Sequence, residues 1–293
     1  MTQADLASTA SSWIGFDRSW LELRRAADDR AIAVGPVRAL QRRLATCATV
    51  GELRVVDLGS GAGVALQRLS EWLPDRRMRA YAVDLDQELL AAPVAVRTGV
   101  TRLPLLADAL LPLDEQGGPP DGWADLVVSH AFADLVPVQL FAERVARLLT
   151  RGGLAHLALT YDGNTVFSPR SRSRLETAVL AGYHRHMRRT MVGTVAATGA
   201  QAGSELQSAL ESCGLITVKR GRSRWRVGVA GRTDGPSVLL LERVMRFVAD
   251  GATAAGVDAV IAEAWLRRRQ TELSQEILSV RVDHVDLLVA RRH

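Results

Sequence analysis

The stretch from Leu53 to Gly63 constrains the fold more than any other part of this chain. Leu53 to Leu58 is a short, nearly continuous apolar run, the pattern of a strand covered on both faces. It leads directly into Gly59-Ser60-Gly61-Ala62-Gly63, after which Leu66, Leu69 and Leu73 recur at helical spacing. Strand, tight glycine turn and helix in that order begin a β-α-β unit, and such units build parallel sheets with right-handed crossovers.

The pattern then repeats. Arg79 to Asp84 reads as a strand, Gln87 to Ala92 as a helix, Leu103 to Ala107 and Ala124 to Ser129 as strands, Val138 to Leu149 as a helix and Gly153 to Thr160 as a fifth strand. This alternation predicts an α/β fold with a doubly wound, mostly parallel sheet. Ahead of it, Asp17 to Cys47 is helical in pattern, with Trp20, Leu23, Ala27 and Ala31 on one face and Val37, Leu40 and Leu44 on another. Gly35-Pro36 predicts the break between two helices. Beyond the fifth strand, Tyr161 to Gly203 is a polar, basic insertion with a helix through Leu175 to Met191, and Ser204 to Cys213 is a helix ended by Gly214. Leu215 to Lys219 and Arg224 to Val229 read as extended, Val238 to Ala249 and Val257 to Leu273 as a helical pair, and His284 to Ala290 as a last strand. The organisation expected is a helical cap at 1–50, a core at 51–160, a lid insertion at 161–203, and the rest of the core at 204–293 with a helical insertion at 235–279. Gly117-Gly118-Pro119-Pro120 is a surface loop within the core.

With 293 residues, 47% hydrophobic and 24% charged, the chain can bury a sizeable core. No stretch approaches the roughly 18 apolar residues of a membrane span, and the N-terminus lacks the apolar centre of a secretory signal, so the cytoplasm is the default location. Cys47 and Cys213 lack the spacing of a metal or redox site and read as small buried hydrophobes. The net charge of +5 raises nucleic acid as a partner. Against it, Lys219 is the sole lysine, and an excess of arginine together with alanine fits a coding bias. The basic run from Pro169 to Arg189 reads first as a solvated helix face, with a grip on an acidic small molecule or on nucleic acid as alternatives.

In open α/β sheets ligands bind outside the carboxyl ends of the strands, at the first strand-to-helix turn. A dinucleotide site would read G-x-G-x-x-G, but Val64 stands where the third glycine belongs. Asp57, just before the turn, would repel a pyrophosphate and favours a cationic ligand. Asp84 closes the second strand about twenty residues past the glycines, the spacing at which an acid reaches ribose hydroxyls. Asp108, after the third strand, is placed to accept from an adenine amino group, with a helix cap as the alternative.

These segments resemble the class I S-adenosylmethionine-dependent methyltransferase family, strongly from Leu53 to Thr160 and weakly elsewhere. The carriers are Val55 to Gly63, Tyr81-Ala82-Val83-Asp84, Ala107-Asp108-Ala109-Leu110, Asp125 to Ser129, and Leu148 to Gly153. Trp20-Leu21-Glu22-Leu23-Arg24-Arg25 resembles a stretch of some bacterial members with a helical N-terminal cap, where Arg24 would hold the methionine carboxylate or lie on the surface. The resemblance implies a Rossmann-like, seven-stranded sheet whose last strand runs antiparallel between the fifth and sixth, and S-adenosylmethionine as cofactor. Its sulfonium and ammonium, without phosphate, suit an acid beside a glycine turn. Candidate cofactor-binding residues are Asp57, Gly59, Ser60, Gly61, Asp84, Leu85, Asp108, Ala109 and Ser129; no metal is expected.

Methyl transfer is an in-line displacement that needs alignment and water exclusion, and a base only where the nucleophile is protonated. Methyltransferases acting on planar nitrogens resemble one another in an Asn-Pro-Pro-Tyr-like motif after the fourth strand. Here that position reads Ser129-His130-Ala131-Phe132, which points to an oxygen, sulfur, carbon or amine acceptor on a small molecule. His130 is the candidate general base, and Tyr161 the candidate to bond the acceptor or pack against the sulfonium, with Asp162 and Asn164 on the same rim. His184 and His186 lie on the insertion, and Trp225 and Trp265 read as pocket walls or core. An RNA- or protein-directed methyltransferase and a noncatalytic cofactor-binding subunit remain the alternatives, and a homodimer stays open.

Overall fold

The computed structural model describes residues 18–46, 51–171, 173–188, 191–192, 195–228 and 235–292. Cys47, Arg189, Val229 and the start of the chain through Asp17, all used above, lie outside them. Two helices, α1 (Arg18–Ala31) and α2 (Val34–Thr46), precede strand β1 (Leu53–Leu58). The core continues as α3 (Val64–Trp72), β2 (Met78–Asp84), α4 (Gln87–Ala91), β3 (Val100–Leu106), β4 (Ala124–His130), α5 (Val138–Leu148) and β5 (Leu149–Ser168). Then come α6 (Arg174–Met187), a minimal hairpin of Met191–Val192 with Val195–Ala196, α7 (Ala202–Ser212), β6 (Leu215–Val227), α8 (Gly235–Ala254), α9 (Ala259–Ser274) and β7 (Ser279–Arg291). The main sheet has seven strands in the order β3-β2-β1-β4-β5-β7-β6. Strands β1 to β5 pair in parallel, and β7 lies antiparallel between β5 and β6, as the resemblance implied.

Each sheet face buries helices whose apolar residues fall at helical spacing. In α5, Val138, Phe141, Ala142, Val145 and Leu148 pack with Leu206, Ala209 and Leu210 of α7 against one face. On the other, Leu40 and Leu44 of α2 and Leu66 and Leu69 of α3 cover Val55, Ala80 and Val128. A third apolar cluster joins α1, α6, α8 and α9 to the far ends of β5, β6 and β7 around Trp20, Phe167, Trp225 and Trp265. No helix among the described residues is long and apolar enough to cross a membrane.

Several expected boundaries move. The helical break falls at Ile32-Ala33, and Pro36 sits in the first turn of α2, where a missing backbone N–H costs nothing. Strand β5 runs past Thr160 to Ser168, because β7 pairs with it along that whole length, with irregular register at Leu157/Thr160 and Tyr161/Thr165. The two extended segments expected after Gly214 are one continuous strand, β6, paired with β7 throughout. The helix expected to reach Met191 stops at Met187.

The irregularity in β5 has a definite cause. Leu159 has a φ of 59°, left-handed for a residue with a side chain. Its N–H donates to Asp286 Oδ1 at 2.7 Å. The same fully buried carboxylate accepts from Ser223 Oγ at 2.5 Å and from the N–H of Ala33 at 2.7 Å. One acid of β7 therefore fixes the β5 bulge, β6 and the link between α1 and α2. Replacing Asp286 by Ala leaves buried donors without acceptors, which costs about 3 kcal/mol, whereas Asn, which keeps one acceptor oxygen, costs less. Urea melts of the two variants check this order; equal stability of Asp286→Ala and wild type would contradict it.

Candidate functional site

The glycine turn leaves β1 with Gly59, Gly61 and Gly63 at φ values of 66°, 49° and 78°. Glycine alone enters this region without strain. Space is as restrictive as angle: a Cβ on Gly59 would lie 2.3 Å from the Phe132 ring, one on Gly63 2.6 Å from Val94, and one on Gly61 3.2 Å from Leu21. The turn after β4, the loop after α4 and helix α1 thus close over the glycines. Asp84 ties the turn to β2, its Oδ2 accepting from the N–H of Gly61 at 2.7 Å and its Oδ1 from that of Asp86 at 3.0 Å. Burial raises its pKa, while these amide donors pull it down. Leu85, next in the chain, is half-buried. Ser129 donates to the carbonyl of Leu58 at 2.8 Å, so its buried hydroxyl braces β4 against the start of the turn.

Asp57 is fully buried, and neither carboxylate oxygen has a hydrogen-bond partner. Desolvation first, and the charge of Asp84 second, raise its pKa to about 8, against the pull of Arg102 and Arg68. Ser60 Oγ is also buried without a partner. Unsatisfied buried polar atoms are uncommon in native proteins and point to a missing partner. An orphaned acid, an orphaned hydroxyl and a turn that admits no side chain fit a ligand that brings positive charge to the glycines.

Asp108 is half-buried at the end of β3. Its side chain accepts from the N–H of Leu110 at 2.9 Å, and Gln116 holds its backbone N–H and carbonyl at 2.8 and 3.1 Å. The carboxylate therefore caps a local turn, and the neighbouring Ala109 is buried.

His130 turns away from the rim. Its Nε2 lies 3.1 Å from Nδ1 of His156, and its Nδ1 lies 3.3 Å from Nη1 of Arg68. Trp72 packs on both rings. Burial first, then His156 and Arg68, drive the pKa of His130 well below the ordinary range, so it stays neutral. Both ring nitrogens are engaged inside the protein, and neither is presented to a substrate. Arg68, itself buried, also bonds Asp29 at 2.7 Å and lies 3.8 Å from Asp28.

A second polar group sits past the end of β4, on the second half of β5. Tyr161 is buried, with its hydroxyl 2.8 Å from Thr165 Oγ1 and 3.0 Å from His184 Nε2. Burial drives the Tyr161 pKa upward, so the phenol keeps its proton. Asp162 accepts from the N–H of Asn164, and Asn164 reaches Asp283 at 2.6 Å. Arg24 is buried, paired with Asp28 through Nε at 3.0 Å and Nη2 at 3.1 Å, and stacked 4.9 Å from the centre of Trp225. Trp225 donates to the same Asp28 at 2.8 Å and is buried in the apolar cluster around Trp20. Trp265 instead bonds Glu176 at 2.7 Å among α6 and α9, and His186 is exposed. Sequence reasoning passed over Asp28, Arg68, Asp134 and Tyr183, which carried no motif; their proximity arises only when the helices dock. Among the described residues no group of three or more His, Cys, Asp or Glu is placed to hold a metal ion.

No family model and no curated protein matches the chain. Among solved structures it is similar to a Bacillus halodurans protein provisionally named a methyltransferase, with a TM-score of 0.50 and 14% identity over 87% of this chain and 99% of that one. It is also similar to the YcgJ protein of Bacillus subtilis, at 0.48 and 14% over 87% and 99%. A geranyl diphosphate methyltransferase determined with sinefungin follows at 0.42 and 12% over 87% and 76%. At these identities the likeness is one of fold: the sheet is Rossmann-like, with the antiparallel seventh strand described above.

The buried state of Asp57 has a consequence for stability. Its folded pKa lies above the unfolded value, so the native state is favoured below the ordinary carboxyl range and loses stability as pH rises from there to about 8. Asp57→Asn removes that loss and should stabilise the ligand-free protein at alkaline pH by on the order of 2 kcal/mol. Thermal melts across pH test this: the two proteins converge in acid and separate toward pH 8. A constant offset would show that Asp57 does not titrate between the two states.

Proposed function

We propose that this chain is an S-adenosylmethionine-dependent methyltransferase acting on a small-molecule acceptor. The observation that carries the reading is the orphaned carboxylate of Asp57 beneath a glycine turn already tied to Asp84. A pyrophosphate would gain nothing from this acid and would meet repulsion from its ionised form, whereas a sulfonium and an ammonium would stabilise the ionised form that burial disfavours. When bound, S-adenosylmethionine supplies a methyl carbon activated by the sulfonium. Asp84, with its oxygens pre-oriented by the N–H groups of Gly61 and Asp86, would hold the ribose hydroxyls. Asp57 would hold the ammonium end, Ser60 and the backbone of Gly59 and Gly61 would line the methionyl portion, and Leu85, Asp108 and Ala109 would border the adenine. Ser129 acts through the turn, by fixing the carbonyl of Leu58.

The acceptor would lie between α1, the turn after β4, β5 and α6, where Tyr161 presents a neutral phenol held by Thr165 and His184. Phe132 and Leu21, packed against the glycines, would exclude water and align the two reactants. His130 has no part in proton transfer, since both its nitrogens are engaged in the interior. Its role is to couple β4 to α3.

Isothermal calorimetry with S-adenosylmethionine, S-adenosylhomocysteine and NAD tests the reading. The first two should bind with micromolar affinity and NAD should not. Asp84→Ala should weaken both by about thirtyfold, the equivalent of about 2 kcal/mol for a lost charged hydrogen-bond partner. NAD binding alone, or an Asp84→Ala variant of unchanged affinity, would refute the cofactor assignment.

A further inference from the structure

Asp134 belongs to a single turn of 3-10 helix, Ala133–Leu135, between β4 and α5. Two residues before it, Phe132 lies against Gly59, and Ala131 holds a left-handed φ of 57°, with its N–H bonded to the carbonyl of Ala158 at 2.8 Å. The strained connection carries Asp134 from the glycine turn toward β5. The residue is 8% exposed, and its Oδ1 has no hydrogen-bond partner. Backbone N–H groups of Asp134 itself and of Tyr161 favour its ionised form. Around it stand Arg24 from α1, Tyr161 from β5 and Tyr183 from α6. His284 from β7 lies behind Tyr161, with 6.3 Å between the rings, and His184 from α6 bonds the Tyr161 hydroxyl. The charge of Arg24 is already matched by the two bonds to Asp28. Asp134 is thus a buried acid, two residues beyond the ring that covers Gly59, with one oxygen unused.

We propose that Asp134 is the general base of this site, and that the acceptor is an alcohol, phenol or amine whose nucleophilic atom bears a dissociable proton. The inference rests on the methyltransferase reading. In the step, the lone pair of the acceptor's oxygen or nitrogen forms the bond to the methyl carbon, and the sulfur–methyl bond breaks with its electrons left on sulfur. The proton released by the acceptor passes to Asp134 Oδ1. A carboxylate and a sulfonium go in, a carboxylic acid and a neutral thioether come out, so the buried site loses one charge of each sign and gains none. That cancellation is favourable where water is excluded. The neighbouring groups leave the proton no better destination: the Tyr161 and Tyr183 phenols keep theirs, and His284 and His184 are driven toward the neutral form by burial. The carboxyl of Asp134, raised by burial to about 6, is basic enough to take a proton and still ionised near neutrality.

The test uses the full chain and needs no knowledge of the acceptor. S-adenosylmethionine and S-adenosylhomocysteine differ in the charge on sulfur, so an ionisable acid beside that atom makes their affinity ratio depend on pH. Between about pH 5 and about pH 7, calorimetry should show the preference for S-adenosylmethionine rising at least about fivefold, as Asp134 ionises through about 6. Asp57, pushed up to about 8 by burial, would face the ammonium that both ligands share and so acts on both alike. In Asp134→Asn, and in Asp134→Ser as a second variant, the ratio should be flat while S-adenosylhomocysteine binds as in wild type. A flat ratio in wild type overturns the proposal whether or not the variants fold, and a slope that persists in the variants overturns it too. Failure of both ligands to bind would instead refute the methyltransferase reading on which it rests. A screen of phenols, alcohols and amines against thioethers and tertiary amines gives the second arm; turnover on the latter two alone would contradict the acceptor class.

Discussion

Arg68 places a guanidinium in the protein interior, and much of the site depends on what surrounds it. Helix α3 begins at the glycine turn, and Arg68 lies one turn inside it, bonded to Asp29, close to Asp28 and in contact with His130. One side chain thereby joins α1, the turn-bearing helix and the end of β4. A buried charge is tolerated only when its partners are in place. Docking of α1 therefore determines whether α3, and with it the turn, is held in register. The same docking brings Leu21 against Gly61 of the turn.

Asp57 represents the opposite situation, a buried acid left without partners. Natural proteins keep such groups where function requires them. Burying Asp57 costs stability in the ligand-free state, and a cationic ligand recovers that stability on binding. The glycines of the turn, the strained Ala131 and the bulge at Leu159 belong to the same set of locally unfavourable features, gathered at the carboxyl ends of β1 and β4 and the middle of β5. Asp286 and Ser129 stabilise that rim from behind without facing a ligand.

The alternation of strands and helices, the glycine turn and the acids at the ends of β1 and β2 were legible in the sequence because each is a local pattern of apolar spacing or turn chemistry. The order of the sheet followed from a family resemblance rather than from any local signal. What misled was mostly context. Gly35-Pro36 looks like a helix break, yet proline is as acceptable in a first turn as between helices. Strand β5 outruns its apolar stretch because β7 continues to pair with it through polar residues. His130 looked like a base because of its position in the chain, but a strand-end residue can face either side of the sheet, and here it faces α3. Asp134 lies in a segment with no distinguishing composition and Tyr183 in the basic run of the insertion, and only the packing of α1 and α6 makes them neighbours.

The most direct measurement is a crystal structure with S-adenosylhomocysteine bound. The ribose should lie on Asp84, the ammonium end within hydrogen-bonding reach of Asp57, and the sulfur between Gly59 and Asp134, with Phe132 shifted to make room. A nucleoside bound elsewhere, or one at the glycine turn whose ammonium points away from Asp57, would contradict it.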